Sequence, residues 1–195
     1  MSDGLIRSFV AVDLNDDRVL GNIVDTQQKL SRTGGDLKLV ERQNIHITLR
    51  FLGEIPRELV HEIIEQIKQI KFSRFEVEFK GLGVFPSLRQ PRVLWVGIEK
   101  GAEELARIFE DLEKILRTLR VQPDRRGFSP HLTIARVRSG RNRAELTRIV
   151  SEMEDKEFGS IDVDSVRLKK STLTPHGPMY EDLYALQATA PETHR

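Results

Sequence analysis

The sequence predicts an α+β fold with antiparallel sheets, arranged as two similar, pseudo-symmetric lobes within one domain that spans residues 1–195. Three observations favour this architecture. Predicted strands and helices are interleaved, several strands follow one another closely enough to form hairpins, and a tetrad, His46-Ile47-Thr48-Leu49, recurs as His131-Leu132-Thr133-Ile134. Because each tetrad lies on a predicted strand that a helix follows, the repetition indicates two related lobes.

In the first half of the chain, short β-branched runs predict strands, and apolar residues at helical spacing predict helices. An Asn-Asp-Asp cluster suits the start of the first helix, and Thr33-Gly34-Gly35 ends it. Pro56 suits the first turn of the second helix. The predicted order is strand 6–14, helix 16–30, strands 37–40 and 45–52, and a helix from Pro56.

In the second half, two strands flank a loop whose prolines prevent pairing, which predicts a hairpin. The apolar stripe that follows Gly101 is the most regular helical pattern in the chain. The predicted order is strands 75–84 and 92–98, a helix ending near Arg120, strand 131–137, helix 142–153, and strands 158–163, 166–173 and 180–186.

Composition excludes several classes of chemistry. The chain has no cysteine, so disulfides, thiolate nucleophiles and cysteine-bound metals are ruled out, which fits a cytoplasmic protein. Lysine and arginine number 31 against 30 acidic residues, so an anionic ligand must be held by local clusters rather than by net charge. No apolar run reaches the roughly 18 residues of a membrane span.

The two tetrads carry the candidate chemistry. Side chains alternate along a strand, so His46 and Thr48 share one face, as do His131 and Thr133. Facing lobes would bring two imidazoles and two hydroxyls around one anion the size of a phosphate. Imidazole gives or takes a proton near neutral pH, and opening a cyclic phosphodiester needs both acts.

Two other interpretations of the tetrads exist. A single His-x-Thr pattern on a half-buried strand arises by chance, but two copies at equivalent positions indicate function. Metal binding is disfavoured because neither tetrad is accompanied by a second ligand at metal-binding spacing, so we expect no metal and no cofactor.

Longer segments around the tetrads resemble the 2H phosphoesterase superfamily. They are Asn44 to Glu54, Gly81 to Pro86 and Phe128 to Arg136, with Ser8 to Asp13 and Ser171 to Tyr180 at the two ends. Within the superfamily, the chain is most similar to the RNA 2′,3′-cyclic phosphodiesterases, also called 2′-5′ RNA ligases. The resemblance covers nearly the whole chain.

The resemblance implies a metal-free active cleft between two lobes, and hydrolysis of a terminal 2′,3′-cyclic phosphate to a 2′-phosphate, with 2′-5′ ligation as the reverse reaction. His46 is expected to protonate the leaving oxygen and His131 to accept the proton of water, although the two roles are exchangeable. Thr48 and Thr133 are expected to bind the phosphate oxygens. The expected partner is RNA with a cyclic phosphate end, including transfer RNA fragments. The protein is expected to be a monomer and not to associate with membranes.

Three further residues are candidates for substrate binding. Arg136 matches the family's arginine after the second tetrad, but strict alternation turns it away from His131 unless a bulge intervenes. Arg50 is expected at the cleft edge, because it shares the face of His46 and Thr48. Phe85 is the preferred residue for stacking on a base. The remaining histidines, His61, His176 and His194, are not expected to act in catalysis.

Two alternative functions stay open at this stage. One is an esterase for a small cyclic nucleotide such as an ADP-ribose cyclic phosphate. The other is a module that binds RNA ends without catalysis, in which the histidines serve only as hydrogen-bond donors.

Overall fold

The structure, a computed structural model, describes residues 4–124, 127–175 and 177–189. Strands and helices alternate along the chain as predicted, and the ends of most elements differ from the prediction by one to three residues. The elements are β1 Leu5–Asp13, α1 Asp17–Arg32, β2 Leu37–Leu39, a 3₁₀ turn Arg42–Asn44, β3 His46–Pro56, α2 Arg57–Ile67, β4 Phe75–Phe85, β5 Val93–Lys100, α3 Ala102–Thr118, β6 His131–Val137, α4 Arg143–Glu152, β7 Glu157–Val163, β8 Ser165–Thr174 and β9 Gly177–Gln187.

The strands pair in the order β7-β4-β5-β6-β3-β1-β8-β9, and β2 pairs with the free part of β6. Neighbours in this order pair antiparallel. The neighbouring strands β6 and β3 lie at the centre of this order, and the strands on either side of them form two matching halves. This arrangement confirms the predicted bilobal α+β fold. The first lobe contains β3, β1, β8 and β9, and the second contains β6, β5, β4 and β7. The lobes meet where Ile47 of β3 pairs with Leu132 of β6.

The lobes exchange helices. Helix α1 follows β1 of the first lobe in the chain but packs against β6 and β7 of the second, and α3 follows β5 of the second lobe but packs against β3 of the first. Helix α2 also contacts β1 and β3, whereas α4 contacts β4. Each lobe is therefore completed by a helix from the other half of the sequence.

The helices form where apolar spacing and local caps agree. The carboxylate of Asp16 accepts a hydrogen bond of 2.8 Å from the backbone N–H of Val19, which satisfies one of the unpaired donors at the start of α1. The apolar stripe of α3 is buried, as its spacing predicts: Leu105, Ile108, Leu112 and Leu116. These stripes cover one side of the sheet and leave the other side open.

Among the described residues, no helix combines the length and the apolar character needed to cross a membrane.

Candidate active site

The pairing of Ile47 with Leu132 brings the two tetrads together. Because β3 and β6 run antiparallel, this register sets His46 beside Thr133 and Thr48 beside His131. The two histidines are offset by two residues along the strand direction, which is about 7 Å, and they lie on neighbouring strands about 5 Å apart. Their Cα atoms are therefore about 8 Å apart. Both apolar partners are fully buried on the helix side. The four polar side chains thus surround one small space on the open side.

A β-bulge follows each tetrad at the same position. On β3, Thr48 pairs with Ala11 while Arg50 pairs with Val10, so Leu49 is an extra residue. On β6, Ile134 is the extra residue in the same way. An extra residue shifts the alternation of every later side chain to the opposite face.

The first bulge corrects the prediction for Arg50. Its side chain points to the helix side, is only 6% exposed, and forms an ion pair with Glu113 of α3. The same guanidinium donates to the backbone carbonyls of Phe51 and Gln122. Strict alternation placed Arg50 at the cleft edge, but the bulge removes it from the cleft and makes it a buried link between β3, α3 and the chain that leads to β6.

The bulges also decide which side chains enter the cleft. Arg136, which strict alternation turns away from His131, lines the same cavity as Thr133. Phe51, which alternation assigns to the buried face, occupies the equivalent position on β3, lines that cavity and is 48% exposed. The sequence suggested Arg136 through the family resemblance, with a bulge as the condition for it to face the cleft, and contained no signal for Phe51.

Each bulge is held by a polar side chain from the exchanged helix. Gln27 of α1 donates to the carbonyl oxygens of Val40 and Ile134, both at 2.8 Å, and so occupies the carbonyl of the extra residue in β6. Glu113 of α3 accepts from Arg50 beside the bulge of β3. Since an unsatisfied buried polar group costs about 1–3 kcal/mol, these bonds favour the bulged register over a regular one.

The two histidines are oriented alike. The Nδ1 atom of His46 lies 2.8 Å from the backbone oxygen of Asn44, and that of His131 lies 2.7 Å from the backbone oxygen of Ser129. A carbonyl oxygen only accepts, so in each ring Nδ1 carries the hydrogen and Nε2 is left free for a proton transfer.

Aromatic rings support both imidazoles. The centroid of the His46 ring lies 5.0 Å from that of Phe9 and 5.4 Å from that of Tyr180. The His131 ring lies 5.0 Å from Phe85, which packs against it edge to face, and 6.3 Å from Trp95.

Phe85 is thus committed to ring packing. It packs against Trp95 as well as His131, with ring centroids 5.1 Å apart. A Cβ atom at Gly83 would collide with the Trp95 ring, so glycine there is required by this packing. The cavity beside the tetrads is lined instead by Phe51, which makes Phe51 the more accessible aromatic surface.

Among the described residues, charged groups lie beside His46 but not beside His131. Asp13 of β1 is the cross-strand partner of His46, whereas Gly97 of β5 takes the equivalent place beside His131. The buried Lys169 donates to both oxygens of Asp13, at 2.9 and 2.7 Å, and to Asp182 at 2.6 Å. Arg167 pairs with the same two carboxylates. Asp13 and Tyr180 fall within the end segments that carry the family resemblance, but no pattern predicted this cluster.

Burial lowers the pKa of both histidines below the ordinary value. For His46, burial is the largest cause, its hydrogen bond to Asn44 and the charge of Asp13 oppose the shift, and the charge of Lys169 adds to it. For His131, burial again lowers the pKa, and the hydrogen bond to Ser129 opposes it. Both imidazoles are therefore mainly neutral at pH 7 before an anion binds.

The open side holds a cavity of about 560 Å³ that starts at the tetrads and extends over the first lobe. His46, Thr48 and Thr133 line it, and the half-buried His131 lies beside Thr48 in the strand pairing but is not part of the lining. Further residues of its wall come from several strands: Arg7, Lys38, Leu39, Leu173 and Tyr180.

The other histidines lie elsewhere or outside the described residues. His61 is exposed on α2, and His176 and His194 are not among the residues that the structure describes. Within the described part of the chain, no group of three or more His, Cys, Asp or Glu side chains is arranged to hold a metal ion.

Comparison with known protein families finds the same duplication. The model of the family described as LigT like Phosphoesterase matches twice, over residues 14–95 and 96–180. Each match contains one tetrad.

Several curated proteins are similar along almost their whole length. The chain is 42% identical over 172 residues to an RNA 2′,3′-cyclic phosphodiesterase of Aeropyrum pernix, which covers 88% of this chain and 98% of that protein. It is 39% identical over 178 residues to a protein of the same name from Archaeoglobus fulgidus, covering 91% and 98%.

Solved structures share the fold. A protein of Thermus thermophilus superposes with a TM-score of 0.76 at 27% identity, covering 93% of this chain and 97% of that one. Escherichia coli LigT complexed with 3′-AMP superposes with a TM-score of 0.75 at 21% identity, covering 96% and 100%.

Replacing Arg50 by methionine should lower the free energy of unfolding by about 3–5 kcal/mol, because Glu113 is then left buried without its partner. The double variant Arg50→Met, Glu113→Leu should regain most of that loss. Urea unfolding of the three proteins measures this. Equal stability of Arg50→Met and the unsubstituted protein would contradict the buried ion pair.

Histidine titration by NMR should give both His46 and His131 a pKa below about 6.5, the ordinary value. Asp13→Asn should lower the pKa of His46 further, because it removes the carboxylate that favours the imidazolium and leaves the charge of Lys169. The pKa of His131 serves as the control in the same spectra and should not move. A rise for His46, or an equal fall for both, would contradict the assigned environment.

Proposed function

This chain belongs to the LigT like Phosphoesterase family, and on that premise we propose that it hydrolyses the 2′,3′-cyclic phosphate at an RNA end to a 2′-phosphate. The observation that carries the proposal is the paired arrangement of His46–Thr133 and Thr48–His131 around one anion-sized space. The names of the similar Aeropyrum pernix and Archaeoglobus fulgidus proteins support the same reaction.

The proposed mechanism uses two histidines and no metal. His131 Nε2 accepts a proton from water, whose oxygen attacks phosphorus, while His46 Nε2 gives a proton to the departing 3′ oxygen. The bond between phosphorus and that oxygen breaks, leaving a 2′-phosphate and a 3′-hydroxyl. The mirrored Nδ1 hydrogen bonds of the two rings support these paired roles, since both leave Nε2 available.

The charged surroundings of His46 support its assignment as the acid. A protonated imidazole is favoured beside the carboxylate of Asp13, whereas the equivalent neighbour of His131 is Gly97. Among the described residues, burial and the hydrogen bond to Ser129 shift the pKa of His131 without a charged neighbour, which suits a neutral base.

The phosphate oxygens are proposed to accept hydrogen bonds from Thr48 and Thr133. For the terminal base we propose Phe51 rather than Phe85 as the stacking surface. Phe51 is half-exposed in the cavity, while Phe85 is packed between His131 and Trp95.

The reverse reaction joins a cyclic phosphate end to a 5′-hydroxyl through the same groups, and water favours hydrolysis. We further propose a cytoplasmic monomer that acts on RNA fragments, transfer RNA halves among them. The lack of cysteine supports the reducing compartment.

The direct test uses a short RNA ending in a 2′,3′-cyclic phosphate, with chelator present, and identifies the terminal phosphate of the product. His46→Ala and His131→Ala should each lower turnover by about 10²–10⁴-fold, because each removes one proton transfer. His61→Ala, on an exposed helix face, is the matched control and should match the unsubstituted enzyme.

Other outcomes of this assay point elsewhere. Retained binding of RNA ends without any turnover by the unsubstituted protein would replace the enzyme by a binding module. Turnover of a small cyclic nucleotide but of no RNA would keep the chemistry and change the substrate. Loss of activity in the chelator would overturn the metal-free mechanism.

The pH profile of kcat/KM should be bell-shaped with its maximum on the acid side of about 6.5. Activity falls below the pKa of the base, which must be neutral, and above the pKa of the acid, which must be protonated. Burial lowers both pKa values, so both limbs move to lower pH. A maximum above about pH 7 in kcat/KM would contradict this expectation.

A further inference from the structure

Two cations face each other across strands β2 and β6. Lys38 and Arg136 are direct cross-strand partners, both are exposed, and both line the cavity beside the tetrads. Cβ atoms of such partners lie about 5 Å apart, and like charges at this separation destabilise a strand pair. Within residues 4–124, 127–175 and 177–189, neither side chain has a carboxylate partner.

Elsewhere in the described sheet, facing charged positions are compensated. Lys170 and Glu181 are cross-strand partners that form an ion pair, as are Lys100 and Glu78. Two facing acidic residues, Glu76 and Asp162, each pair with a cation. The pair formed by Lys38 and Arg136 has no such compensation from described carboxylates. An uncompensated pair of cations in a cleft is a site for an anion, whose charge would relieve the repulsion.

The position of this pair relative to the tetrads indicates which anion. Arg136 lies three residues beyond Thr133 on β6, but because Ile134 is bulged this stretch spans two residues of β5, or about 7 Å along the strand. This distance is on the scale of one nucleotide, so a phosphate at Lys38 is separate from the cyclic phosphate held at the tetrads.

The same cavity also contains exposed apolar side chains. Of the large apolar side chains that are exposed in the described part of the chain, three line this one cavity: Leu39, Phe51 and Leu173. A groove that combines cations with exposed aromatic and apolar side chains is the common arrangement for single-stranded RNA. Glu41 also lines the cavity, but Gln43 and Asn44 donate hydrogen bonds to its carboxylate, which partly satisfies it.

We propose that Lys38, together with Arg136, binds the phosphodiester that links the cyclic-phosphate nucleotide to the nucleotide before it. The substrate class is then an oligoribonucleotide, rather than a mononucleoside cyclic phosphate. This inference rests on the proposed function, since it assumes that the cyclic end occupies the tetrads.

The test compares kcat/KM on a dinucleotide ending in a 2′,3′-cyclic phosphate with kcat/KM on the matching mononucleoside 2′,3′-cyclic phosphate. The unsubstituted enzyme should prefer the dinucleotide by about tenfold, the scale of one charge-assisted hydrogen bond. Lys38→Gln should reduce this preference by about fivefold to tenfold, while Lys38→Arg should keep it. Lys71→Gln, an exposed lysine outside the cavity, is the matched control.

Two further measurements separate phosphate binding from a structural role. The slope of log kcat/KM against log salt for the dinucleotide should become shallower by about 0.7 in Lys38→Gln, as expected for one lost phosphate contact on a single strand. The melting temperature of Lys38→Gln should equal or exceed that of the unsubstituted protein, because the substitution removes repulsion from Arg136. A variant that loses stability and loses activity equally on both substrates would assign Lys38 a structural role and overturn the proposal.

Failure of this inference differs from failure of the proposed function. Equal kcat/KM on the two substrates, or an unchanged preference in Lys38→Gln, would reject the upstream phosphate site and leave the hydrolase standing. No turnover of either substrate by the unsubstituted enzyme would reject the hydrolase, and the upstream site with it.

Discussion

The antiparallel pairing of Ile47 with Leu132 is the constraint on which the rest of the site depends. It is the single residue pair through which the strands of the two lobes are joined in the described structure. Shifting one of the two strands by one residue would turn its histidine toward the helices and away from the other histidine, because side chains alternate along a strand. The full burial of both apolar partners opposes that shift, since it would exchange buried apolar groups for polar ones. Packing on one side of the sheet thus fixes the chemistry on the other side.

The bulges that follow the tetrads have a second, equally specific effect. They make the positions of Phe51 and Arg136 face the cavity and place Arg50 and Ala135 on the buried side. The side chains that hold these bulges, Gln27 and Glu113, come from the exchanged helices. Each half of the sequence therefore supplies a helix whose side chain stabilises the bulge beside the other half's tetrad. Neither half forms its own face of the cleft alone.

The symmetry of the backbone contrasts with the asymmetry of the side chains around it. His46 and His131 make matching hydrogen bonds to a carbonyl two residues earlier, and aromatic rings pack on both, yet among the described residues the charged cluster of Asp13 and Lys169 lies beside His46 alone. A reaction that needs an acid and a base benefits from this difference, because identical environments would give the two rings the same proton affinity. The duplicated fold supplies the positions, and the differing residues of the neighbouring strands supply the roles.

The sequence by itself determined the α+β class, the order of elements, the duplicated tetrads and the family, because these depend on local periodicity and on motifs that are read directly from residues. It placed His46, Thr48, His131 and Thr133 on common faces, and the alternation held over those three-residue spans. The tertiary structure decided the places of Arg50, Phe51 and Arg136, since a single extra residue reverses alternation and is stabilised by partners more than 60 residues away in sequence. Likewise, the charged cluster at Asp13 and the facing cations Lys38 and Arg136 arise from strand pairing across the chain, which no local pattern encodes.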